Sequence, residues 1–304
     1  MGKILIIGSS NTDLITTMTR FPAPGETIEG SGFFTAMGGK GANQAIAALR
    51  SGGDVSFITA LGTDVNGQTA LEYYKQQGLD VSMSLVTDGV PSGTAVIWVN
   101  EAGENSIVIT PGANNKLSPE YIQGLEDTIK TAGLLVMQME IPYETVKTVC
   151  RIAQKYGRKV MLNVAPAREI DEAVLQTIEI LAVNETEAET ITGQKLNENN
   201  IEEMVDLLLS MGPKIVLLTL GDKGCFLKAG EEKHVVPAYK VSPIDTTAAG
   251  DTFCGAVAAE YMHGKGWGEI LEFATAAAAI SVTRIGAQPS IPKQNEVQEF
   301  LNNH

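Results

Sequence analysis

Apolar residues come in short unbroken runs, set apart by longer stretches in which they recur every three or four positions. The first run, Lys3-Ile4-Leu5-Ile6-Ile7-Gly8, has no polar alternation and ends on glycine, the pattern of a strand buried on both faces. Runs of strand length recur at residues 55–61, 134–139, 159–164, 180–184 and 215–220. Helical periodicity follows Ala45 up to the stop at Gly52-Gly53, then fills residues 65–77, 119–131, 143–156 and 201–211. The end of the chain reads as three helices, at 249–264, 269–283 and 294–302. Strand and helix lengths that alternate in this way predict βαβ units and a parallel sheet.

Two stretches break the alternation. Residues 14–34, and residues 94–99 and 105–109 around a turn at Gly103, are β-rich, punctuated by Pro and Gly, and without helical period. They predict a small second sheet built from excursions of the main one. No internal repeat and no low-complexity linker appears, so residues 1–304 are expected to form a single α/β domain, with a β lid from excursions near 14–34 and 93–109.

Composition narrows the function classes. At 304 residues, 44% hydrophobic and 19% charged, the chain is globular in character. A net charge of −14 leaves no basic surplus to displace counterions, which argues against a nucleic-acid partner. Cys150, Cys225 and Cys254 are far apart and form no C-x-x-C pair, as expected of reduced thiols in a cytoplasmic protein. The apolar start lacks a cleavage-like flank, so no signal peptide is expected. The Ala-rich run 274–280 is well short of the ~20 residues of a membrane span, so no membrane partner is expected.

The chemistry centres on Asp245-Thr246-Thr247-Ala248-Ala249-Gly250-Asp251, which runs into a helix. Small residues at a helix start allow close backbone approach, and the free N–H groups of the first turn favour an anion such as phosphate. Asp251 would sit beside that anion; read alone, it is equally an ordinary cap. Gly38-Gly39-Lys40-Gly41-Ala42-Asn43 is neither a Walker A loop nor a dinucleotide fingerprint, although Lys40 and Asn43 could donate to hydroxyls. Asn11, Asp13 and Glu140 fall in polar segments after strands, the rim where ligands bind in open α/β sheets. Asn184 and Glu187 share a helix face and could position a hydrated Mg²⁺, or simply cap the helix. Thr219-Leu220-Gly221-Asp222-Lys223-Gly224 ends a further strand in a double-Gly turn, which alone reads as a hairpin. His234, His263 and His304 are given no role.

Taken together, the Gly38–Ala45 and Asp245–Asp251 segments resemble the two signatures of the ribokinase-like (PfkB-type) carbohydrate kinases, and the resemblance extends over essentially the whole chain. Asn11-Thr12-Asp13, Asn184-Glu185-Thr186-Glu187 and the segment from Val282 to Ser290 are most similar to the branch that phosphorylates ribose. The resemblance implies a three-layer α/β/α sandwich with a mainly parallel central sheet plus a small β-sheet lid. It implies ATP-dependent phosphorylation of D-ribose at O5, with Asp251 as base and the backbone of Ala248, Ala249, Gly250 and Asp251 as an anion hole. Asn11, Asp13, Gly39, Lys40, Asn43 and Glu140, with Asp251, would hold the sugar. Asn184, Thr219, Leu220, Gly221, Asp222, Lys223, Gly224, Gly250 and Thr275 would contact ATP, although Thr275 stands where the family often carries Asn or His.

Glu187 would help place Mg²⁺, through water. Asp245, Thr247, Ser281, Arg284, Gly286 and Ser290 would hold an activating monovalent cation, usually K⁺. Pairing of lids implies a homodimer. Three alternatives remain at this point: a kinase of the same family for another small sugar or nucleoside, a dinucleotide-dependent dehydrogenase, and a non-catalytic sugar-binding regulator. The missing G-x-G-x-x-G speaks against the dehydrogenase, and the presence of Asp251 against the regulator.

Overall fold

The computed structural model describes residues 2–304, so Met1, the first residue of the expected domain, lies outside the described residues. The central sheet has eight strands, in the order Glu232–Val236, Cys225–Ala229, Ile215–Thr219, Ile180–Asn184, Lys159–Asn163, Leu134–Met137, Ile4–Ile7, Val55–Ile58. All neighbours from Ile215–Thr219 to Val55–Ile58 are parallel, and only the pairings that bring in Cys225–Ala229 and Glu232–Val236 are antiparallel. The double-Gly turn at Gly221 and Gly224 therefore opens a hairpin, the plain local reading of that segment.

Unbroken apolar runs serve both faces at once. Ile4, Ile6, Leu134 and Val136 belong to one core, and Leu5, Ile7, Leu135 and Met137 to the other. One core is closed by the helices Lys40–Arg50, Ala249–Met262 and Trp267–Ser281, the other by Tyr143–Tyr156 and Ile201–Ser210. This is a three-layer α/β/α sandwich with a mainly parallel sheet.

The small sheet has four strands, in the order Gly32–Gly38, Asn11–Met18, Gly93–Asn100, Asn105–Thr110. It begins earlier than the sequence pattern predicts. Residues 9–13 read as a loop, yet the strand starts at Asn11, which is paired with Gly38 on one side and Gly93 on the other. Two neighbours supply the backbone partners that the polar side chains of Asn11 and Asp13 gave no reason to expect. Two further boundaries shift. The run 55–61 divides at Thr59, because Ala60–Gly62 leaves the central sheet to pair in parallel with Leu85–Thr87. The expected helix 119–131 is two short helices, Pro119–Gln123 and Glu126–Thr131, parted at Gly124-Leu125. No helix among the described residues is long and apolar enough to cross a membrane.

Candidate active site

Asp251 is the third residue of helix Ala249–Met262. The residue that leads in, Ala248, has φ 60°, a left-handed conformation that disfavours a residue with a Cβ by roughly 1–2 kcal/mol. It is the only non-glycine residue with positive φ among those described. Strain of this kind is held only where surrounding structure enforces it. The N–H groups of Ala248, Gly250 and Asp251 donate to no described residue, while Ala249 N–H makes a long bond of 3.3 Å to the Thr246 carbonyl. Three free donors thus remain at the positive end of a helix, a setting that suits an anion.

Close helix packing fixes the carboxylate. A Cβ on Gly255, one turn beyond Asp251, would lie 2.5 Å from Ala47 Cβ and 2.6 Å from the Gln44 carbonyl, so glycine lets the two helices touch. That contact brings two amides to Asp251: Asn43 Nδ2 donates to Oδ2 at 3.0 Å, and Gln44 Nε2 donates to Oδ1 at 3.0 Å. Gln44 is itself held, by donating to Asn163 Oδ1 at 3.0 Å and accepting from Gln138 Nε2 at 2.7 Å. Asn43 Oδ1 is buried without a donor, an acceptor that a ligand hydroxyl would satisfy.

Asn11 and Asp13 point to the same side of their strand, by the two-residue period. Both are buried. Glu140 Oε2 accepts from Ser9 Oγ at 2.6 Å and from the Lys40 backbone N–H at 3.1 Å. Gly39, with φ 88°, caps the Lys40–Arg50 helix in a conformation that disfavours any other residue. Burial, reinforced by the charges of Glu140 and Asp251, pushes the Asp13 carboxyl up to about 7, against the pull of Lys40. Burial likewise pushes Glu187 up to about 7. The Lys40 ammonium is held above its usual range, chiefly by Asp251 and then by Glu140 and Glu187, despite its burial. Asp13, Glu140, Glu187 and Asp251 thus share Lys40 as a cationic neighbour.

Asn184 and Glu187 form a reciprocal capping box, with Glu187 N–H to Asn184 Oδ1 at 2.9 Å and Asn184 N–H to Glu187 Oε2 at 2.8 Å. Both the cap and the cation readings are thus open to Glu187, whose other oxygen makes no bond within the box. Among the described residues no group of three or more His, Cys, Asp or Glu is placed to hold a metal directly. Glu187 offers a single carboxylate, and Mg²⁺, which keeps most of its waters, needs few protein carboxylates. Thr219 lies in register with Asn184 on the neighbouring strand, and the exposed turn Gly221–Lys223 follows it. Leu220 is buried and bonds its N–H to the Gly224 carbonyl at 2.8 Å. Thr275 is buried behind that turn, with its hydroxyl 3.8 Å from Cys225 Sγ.

The segment before the Asp251 helix is tied to the chain near its end. Asp245 Oδ1 accepts from the Thr247 N–H at 2.9 Å and hydroxyl at 2.6 Å, and Asp245 Oδ2 accepts from Gly286 N–H at 2.8 Å. The carbonyls of Asp245, Thr247, Arg284 and Gly286 accept no hydrogen bond from the described residues, whereas that of Ser281 accepts from Arg284 N–H. Ser290 is fully buried. Free carbonyl oxygens on two segments joined through Asp245 are oxygen donors of the kind a hard cation takes.

Ser9, Gln44, Asn114, Gln138 and Asn163 escape the sequence reading. Gln44 alone carried a signal, as the neighbour of Asn43 on a helix start; the others become legible only through contacts across 19 to 131 positions.

Comparison with known proteins identifies the family. Residues 1–294 match the family described as pfkB family carbohydrate kinase. The chain is 40% identical over 299 residues to a ribokinase of Haemophilus influenzae, covering 98% of both chains. It is 35% identical over 301 residues to a deoxyribokinase of Salmonella typhimurium, again covering 98% of both. The structure of Arabidopsis thaliana ribokinase complexed with ribose and ATP superposes with a TM-score of 0.92 at 34% identity, covering 99% of this chain and 98% of that one.

Proposed function

The chain belongs to the pfkB family of carbohydrate kinases, and from that premise we propose how it acts: it transfers the γ-phosphoryl group of ATP to O5 of D-ribose, giving D-ribose 5-phosphate and ADP. The observation that carries the mechanism is the Asp251 carboxylate, gripped by Asn43 and Gln44 beside three free backbone N–H groups. Asp251 takes the proton of the O5 hydroxyl as that oxygen bonds to phosphorus and the bond to the ADP oxygen breaks. Ala248, Gly250 and Asp251 N–H groups, with Ala249 once its bond to Thr246 opens, stabilise the charge on the moving phosphoryl group.

Asp13, Glu140 and Asn43 Oδ1 accept from sugar hydroxyls, while Lys40, the Asn11 amide and the Gly39 backbone complete the pocket. Asn184, Thr219–Gly224 and Gly250 line the nucleotide site, with Thr275 shaping it from behind. Mg²⁺ would be held by its waters, the phosphates and Glu187, and would neutralise phosphate charge. K⁺ would be held by Asp245, Thr247, Ser281, Arg284, Gly286 and Ser290, and would keep the 245–251 turn in shape.

Residues 1–304 act as one domain, and the small sheet closes over the sugar to exclude water. Phe33, Val96, Trp98, Ile107, Val108 and Ile109 leave that sheet with much exposed apolar surface, which supports pairing with a second copy. Free, buried Cys150, Cys225 and Cys254 support a cytoplasmic location. The deoxyribokinase relative keeps a second reading in view, a kinase for another small sugar. ADP release from ATP and Mg²⁺ across pentoses, hexoses and nucleosides, with and without K⁺, decides between them. Turnover that is greatest with ribose and rises with K⁺ is expected; a different preferred sugar would discard the pocket assignment.

A further inference from the structure

Backbone groups cannot exchange roles: an N–H only donates and a carbonyl only accepts. Ser10 N–H donates to Asn114 Oδ1 at 2.9 Å, and Asn114 Nδ2 donates to the Ser10 carbonyl at 3.2 Å. Together these bonds allow the Asn114 amide a single orientation. Its Nδ2 also donates to Asn11 Oδ1 at 2.8 Å, so the oxygen of Asn11 is the end turned to Asn114. The NH₂ end of Asn11 is then the free one. All three residues are buried, at 1% exposure for Ser10 and Asn114 and 4% for Asn11. A Cβ on Gly93 would lie 2.2 Å from Asn11 Oδ1 and 2.3 Å from Asn114 Nδ2, so this contact leaves no room for a side chain there.

We infer that Asn114, although outside the sugar pocket, determines specificity by presenting Asn11 to the sugar as a donor only. The inference rests on the proposed contact between Asn11 and a sugar hydroxyl. A ribose hydroxyl oxygen accepts from that NH₂ group. A 2-deoxy sugar offers no oxygen there and leaves a buried donor unpaired, which is how a site rejects a substrate lacking a hydroxyl. With the Asn114 anchor gone, the Asn11 amide is free to turn and discrimination weakens.

The test is the ratio of kcat/KM for D-ribose to that for 2-deoxy-D-ribose, measured on one sample so that the folded fraction cancels. Asn114→Ala is expected to lower the ratio roughly tenfold, the order of one buried hydrogen bond to a hydroxyl. Asn114→Asp keeps the acceptor for Ser10 N–H but cannot donate to Asn11, so it is expected to lower the ratio too, and it serves if the alanine variant does not fold. Asn11→Ala is expected to lower the ratio, and adding Asn114→Ala to it to change nothing more. An unchanged ratio in both Asn114 variants, beside a lowered one in Asn11→Ala, would overturn this inference alone. A further fall in the double variant would do the same, by showing a route other than Asn11. An unchanged ratio in Asn11→Ala would instead overturn the sugar contact itself, and the inference with it.

Discussion

The central sheet and the small sheet are made of similar apolar strands, yet they meet water in opposite ways. Every residue of Ile4–Ile7 is buried, and every residue of Asn105–Thr110 is exposed. Helices cover the central sheet on both faces, whereas the small sheet keeps a core of only Ile15, Ala36, Ala95 and Ile97. A sheet with so little of its own core draws its order from what it touches, and such elements sit at the low-stability end of a fold. The two carry different candidate site residues. Asp251, Gln44 and Glu187 stand on helices packed against the central sheet, while Asn11 and Asp13 stand on the small one. In the proposed mechanism the base thus stands on the rigid part, while the sugar is shared between that part, through Gly39, Lys40, Asn43 and Glu140, and the small sheet, through Asn11 and Asp13.

Perturbing each side separately sharpens that division. Asp251→Asn should lower kcat by roughly 10²–10⁴, the contribution of a general base, while ribose binding measured by calorimetry stays close to wild type. Equal losses in binding and turnover would place Asp251 in recognition instead. Ile6→Ala in the central sheet should destabilise the fold by roughly 2–5 kcal/mol in a thermal or urea melt, as a fully buried aliphatic truncated to alanine does. Gly38→Ala would put a Cβ 2.1 Å from Asp13 Oδ2, so KM for ribose should rise severalfold with little change in melting temperature. Trp98→Ala, on the exposed face, should shift stability by no more than about 0.5 kcal/mol at low concentration, and should weaken the proposed self-association, read by sedimentation.

Acidity offers a finer probe of the seam. Asp13 rises from 3.8 to about 7 and Glu187 from 4.5 to about 7 on folding, so the folded protein keeps protons that the unfolded chain has released. Their contribution to stability is complete below about pH 4 and is lost as pH climbs through about 7. Melting temperature of the ligand-free protein should fall over that window, and Asp13→Asn should flatten the fall. An identical slope in the variant would show that Asp13 titrates in the ordinary carboxyl range. In kinetics the sign reverses: with ionised Asp13 as the proposed acceptor for a sugar hydroxyl, kcat/KM should rise as pH passes about 7.

Much of this was legible in one dimension. Runs such as residues 4–7 and 134–137 determined their own burial, because an apolar residue at every position can be satisfied only by cover on both faces. The Asp245–Asp251 and Gly38–Asn43 segments marked the site, since helix starts flanked by small residues are local features. Tertiary structure alone decided what those segments do to each other. Asp13 reads as an ordinary exposed acid until burial and two neighbouring carboxylates raise it. Gln44 becomes a grip on Asp251 only across 207 positions, and Asn114 reaches Asn11 only across 103. Periodicity records which face of an element turns inward; hydrogen bonds and charges depend on distances that no local pattern encodes.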